Sequence, residues 1–134
     1  MSADATFKTC VETVERTYEF MLAYAAQGRD KEGVGGDGPS IRGYLTDLSG
    51  ALGRIDAEAR DDISAAGADA GAFTAYADVL KDDAARAKAA VDLVLAMPVI
   101  TSLLIDNLNA TIHLRALLTS VFVLDEALDI AKRG

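Results

Sequence analysis

Apolar residues recur at spacings of three and four along nearly the whole chain, and this pattern restricts the fold to packed α-helices. Phe7, Val11, Val14, Tyr18, Met21 and Ala25 share one face of a first helix predicted over about 5–27. Ile41, Tyr44, Leu45, Leu48, Leu52, Ile55, Ala59 and Ile63 do the same for a second over 40–66. Phe73, Ala77, Leu80, Ala84, Ala87, Val91 and Val94 define a third over 70–96, and a fourth follows over 99–132. The expected architecture is all-α: a single domain over 1–134 forming an antiparallel up-down four-helix bundle. A chain of this length buries roughly 70% of the surface of its unfolded form, so no metal or disulfide is needed to complete the core. With only four Phe, four Tyr and no Trp, that core is built from Ala, Leu, Val and Ile.

The breaks in the pattern set the boundaries. Gly28 to Gly38 holds five glycines among charged residues and reads as a flexible loop over 28–38. Pro39 or Ser40 opens the second helix, Gly67 ends it and Asp69 caps the third. Gly43, Gly50 and Gly53 lie inside the second helix, where close approach of a neighbour or simple tolerance would account for them. At Ala96-Met97-Pro98-Val99 the chain either turns or kinks. One continuous helix from Phe73 to Lys132 would run about 90 Å, too long for this bundle. A turn with Pro98 opening the fourth helix is therefore expected.

That fourth helix is apolar on every side, with Ile100, Leu103, Leu104, Ile105, Leu108, Ile112, Leu114, Leu117, Leu118, Val121, Phe122, Val123 and Leu124. A bundle helix normally keeps a face in water, so the excess predicts an interface through this helix. A homodimer or another protein partner would cover it.

Charge and cysteine content exclude several function classes. The net charge is −8, from 21 acids and 13 scattered bases, which argues against nucleic acid as a partner. The uncharged run from Leu93 to Ile105 contains Pro98 and falls well short of the roughly 20 residues of a membrane span. A single cysteine, Cys10, permits no internal disulfide, and Ser2-Ala3-Asp4-Ala5 does not resemble a signal peptide. A cytoplasmic location is expected. Glu12 and Asp4 near Cys10 disfavour a thiolate, so Cys10 reads as a small core residue.

The one concentration of chemistry is a polar island in the fourth helix. Asp106, Asn107, Asn109 and the lone histidine, His113, interrupt the apolar run, and Asp106, Asn109 and His113 share a face of a continuous helix. With the first and fourth helices antiparallel, Tyr18, Glu19 and Met21 come level with them. Buried polar groups need partners, so the set reads first as a hydrogen-bond network fixing register. The alternative is a small-ligand site around His113. One histidine cannot furnish the two Glu-x-x-His pairs of a di-iron bundle, and no metal or cofactor is called for. Haem held by Met21 and His113 would match b-type cytochrome bundles in arrangement alone. Histidine phosphotransfer domains carry a Lys-Gly pair just after the active histidine, where this chain has Ala116 and Leu117. Gly33 to Gly38 lacks the Lys-Ser/Thr of a phosphate loop. The sequence reading is thus a non-enzymatic accessory or adaptor protein acting through association.

Overall fold

Each helix begins or ends on a side chain that meets orphan backbone groups. A computed structural model describes residues 6–32, 40–68 and 70–133 and places among them five helices: α1 (Phe7–Ala25), α2 (Ile41–Ala66), α3 (Ala70–Leu95), α4 (Ser102–Ala110) and α5 (Ile112–Arg133). Thr6 caps α1 in a reciprocal capping box with Thr9, and the Ser40 hydroxyl accepts the Gly43 N–H to open α2. α2 stops at Gly67, whose left-handed φ of 64° lets Gly67 N–H and Ala68 N–H fold back onto the Ser64 and Ile63 carbonyls. Pro39 and Asp69 lie outside the described residues, as does 33–38 of the expected glycine loop.

The helices surround one core. α1 lies against α2 and α4, α2 against α3, and α3 against α5. Ser49 bonded to Asp92 and Arg60 to Asp78 set α2 and α3 antiparallel. Lys8 paired with Asp125, together with Asn109 bonded to the Met21 carbonyl, runs α1 antiparallel to the segment formed by α4 and α5. The expected faces of the first three helices are the buried ones, joined by Cys10, Thr17, Tyr24 and Ala51, while Tyr18, Ala25, Tyr44 and Phe73 are half-buried. Lys8 ignores its helical neighbour Glu12 and reaches across to Asp125 and Asp129 instead.

Two expectations fail in the last third of the chain. First, the turn after α3 is real, but Pro98 does not open the next helix. The chain stays non-helical to Thr101, whose hydroxyl accepts the Leu104 N–H. Second, the expected helix 99–132 is two helices. Thr111 is extended (φ −65°, ψ 143°), donates its N–H to Leu108 and accepts the Leu114 N–H on its hydroxyl. It ends α4 and caps α5 at once, without the Gly or Pro that usually announces such a break. The close approach proposed for the α2 glycines is not required either. A Cβ on Gly50 would meet only the end of the Arg54 side chain at 3.4 Å, and one on Gly53 only Lys88 Cε at 3.5 Å.

Candidate functional site

The break at Thr111 disperses the polar island. Asn109 alone turns inward, 8% exposed, and its Nδ2 donates to the Met21 carbonyl at 3.4 Å. Its Oδ1 is buried with no hydrogen-bond partner. Asp106 and Asn107 are exposed on the outer side of α4, and His113 is exposed because the extended residue at 111 shifts the helical phase between α4 and α5. On α1, Met21 is fully buried, Tyr18 is half-buried against the core and Glu19 faces water. Of the seven sequence candidates, the structure joins only Asn109 and Met21 by a hydrogen bond. Among the described residues no group of three or more His, Cys, Asp or Glu side chains is placed to share a metal. Cys10 is fully buried, and burial pushes its thiol pKa up, opposite to what a nucleophile needs.

A larger feature lies on the outer side of α3 and α5. The inward residues of α5 are Leu114, Leu117, Ser120, Val121, Leu124 and Leu128. A second series at spacings of three and four, Ile112, Ala116, Thr119, Val123, Ala127 and Ile130, occupies a separate arc on the side towards α3, with Ala116 and Ala127 half-buried. Its large members remain uncovered: Ile112 is 74% exposed, Val123 49% and Ile130 53%. The neighbouring α3 also carries exposed apolar side chains, Val79, 45% exposed, and Leu93, 64% exposed.

The two helices are held in register by the Ser120 hydroxyl donating to Asp83. One to three turns along, Phe73 and Tyr76 of α3 and Val123 and Ala127 of α5 line an open groove of about 150 Å³ with almost wholly apolar walls. The sequence signalled an excess of apolar residues here, but not that they form a second stripe. Which arc of α5 faces the core is set by the phase that the helix takes after Thr111.

A polar cluster that the sequence did not announce closes the other end of α3. Arg42 donates to the Leu95 carbonyl at 2.9 Å and the Met97 carbonyl at 2.6 Å, while a two-point ion pair to Glu32 holds its guanidinium. Glu32 also accepts the Ile100 N–H, and the Tyr24 hydroxyl donates to the Ile100 carbonyl at 2.6 Å. Ser102 and Arg29 exchange hydrogen bonds, with Arg29 lying over the Tyr24 ring. Burial, then the nearby Glu32 carboxylate, raises the Tyr24 pKa. The Arg42 guanidinium and the Tyr24 and Ser102 hydroxyls already serve backbone carbonyls or a carboxylate, and the Arg29 guanidinium donates to the Gln27 side chain, so the cluster functions as a clasp between the segments 24–32 and 95–102.

No protein-family model, curated protein or solved structure matches the chain. No helix among the described residues is long and apolar enough to cross a membrane.

Proposed function

We propose that this chain is a non-enzymatic helical accessory or adaptor protein of the cytoplasm that works by protein association through the outer face of α3 and α5. In this reading α4 and α5 together fill the fourth position of an antiparallel four-helix bundle. The observation that carries it is the uncovered stripe Ile112, Val123 and Ile130 on α5, with Val79 exposed on the neighbouring α3. Burying a side chain of this size is favourable by about 1.5–3 kcal/mol, so several in one stripe supply a useful driving force for association. The test is isolation of the tagged chain from its host, with light scattering, alongside Val79→Glu and Val123→Glu. A defined complex that both substitutions dissolve supports the reading. A free monomer, or a complex indifferent to both, contradicts it.

The buried, unpartnered Oδ1 of Asn109 favours a second reading, in which a small hydrogen-bond donor binds between α1 and α4. It requires a bound mass in native mass spectrometry that disappears in Asn109→Leu.

A further inference from the structure

The spacing and charge of the outer α5 stripe are self-complementary. The stripe covers about 27 Å of helix between Ile112 and Ile130. Read in either direction from Val121 it presents nearly the same series: Thr119 and Val123 are equidistant from the centre, then Ala116 and Ala127 to within a residue, then Ile112 and Ile130. Ala116 and Ala127, on either side of the central Thr119 and Val123, allow two helices to approach closely, and the isoleucines at the ends fill the wider gap where helices diverge. Beside the stripe, on one flank, stand Arg115 and Glu126, both exposed and neither in an ion pair among the described residues. By contrast, Asp125, Asp129 and Lys132 on the other side of α5 are engaged within the chain.

We propose that the occupant of this face is a second copy of the same chain, with the two α5 helices antiparallel about a two-fold axis near Val121. In an antiparallel pair, residues on the same flank face one another. Arg115 of each copy then meets Glu126 of the other, giving two equivalent ion pairs. Ile112 packs against the opposing Ile130, and Thr119 against the opposing Val123. A parallel arrangement would leave both charges without these partners. The inference rests on the association reading above and commits it to one partner.

Sedimentation equilibrium on the full chain, over a wide concentration range, tests it with four proteins. The wild type is expected to be dimeric, and Val123→Glu monomeric. Arg115→Glu brings like charges together at both symmetric contacts and weakens the dimer about tenfold or more. Arg115→Glu combined with Glu126→Arg reverses the pair and restores the dimer to within about threefold of wild type, which general surface damage would not do. Unchanged helical circular dichroism shows that each variant folds. A dimer without this rescue overturns the antiparallel pairing while preserving association. A wild type that stays monomeric at all concentrations overturns self-association. If the tagged chain from its host also carries no partner protein, the broader association reading fails with it.

Discussion

The two ends of the molecule are both rich in polar contacts, but those contacts differ in kind. Where α3 turns into α4, Arg42, Tyr24 and Ser102 bind backbone carbonyls and Glu32 accepts a backbone N–H. At the opposite end Lys8 meets Asp125 and Asp129, and Lys132 meets Asp62, all between side chains that water also reaches. The first set satisfies main-chain groups that would otherwise lose water without compensation. The second exchanges one hydrated charge for another and gains little. A count of polar contacts would rank the ends alike, whereas the nature of the partner separates them.

Stability measurements on four variants can break that comparison. The largest effect is expected for Arg42→Ala, which frees the carbonyls of Leu95 and Met97 and the Glu32 carboxylate and should cost about 2–3 kcal/mol in urea unfolding. Tyr24→Phe removes only the bond to the Ile100 carbonyl and should cost about 1–2 kcal/mol. Gly50→Ala, in the helix joining both ends, should raise stability by about 0.5–1 kcal/mol, since only the mobile tip of Arg54 must adjust. Lys8→Met should change stability by less than about 0.5 kcal/mol at moderate salt and by nothing measurable at 1 M. A Lys8→Met loss as large as that of Arg42→Ala would refute the contrast.

The Lys8 pair also has a pH signature. Its hydrogen bond to Asp125 raises the ammonium pKa in the folded state. A raised folded pKa means that its contribution is complete below the ordinary lysine value of about 10.4 and is lost as pH rises through the folded value. Wild type and Lys8→Met should therefore converge only in strong alkali. Asp92 behaves oppositely: Ser49, then Lys88, lowers its pKa, so its contribution is present above the ordinary carboxylate range and fades as pH falls through the lowered value. Asp92→Asn should thus differ from wild type at neutral pH and match it in strong acid.

The sequence revealed those parts of the fold whose cause is local. The stripes of α1, α2 and α3, the Ser40 cap and the Gly67 stop are signals read from neighbours within four residues. What it concealed has distant causes. Arg42 looks like any surface arginine until Leu95 and Met97 come beside it, and nothing near Tyr24 predicts the Ile100 carbonyl. The break at Thr111 was hidden for another reason, since a threonine inside a helix and one capping the next read alike in the sequence. That one residue undid the polar island, sending His113 to the surface and leaving Asn109 inside. The same break sets which arc of α5 is buried and which stays outside.

Native mass spectrometry of the chain isolated from its host tests the central claim, association through that face, most directly, because it reads stoichiometry and bound mass together. The account predicts twice the chain mass with no added ligand, and a single chain mass for Val123→Glu. A wild-type monomer carrying no partner, or a dimer that survives Val123→Glu, would contradict it.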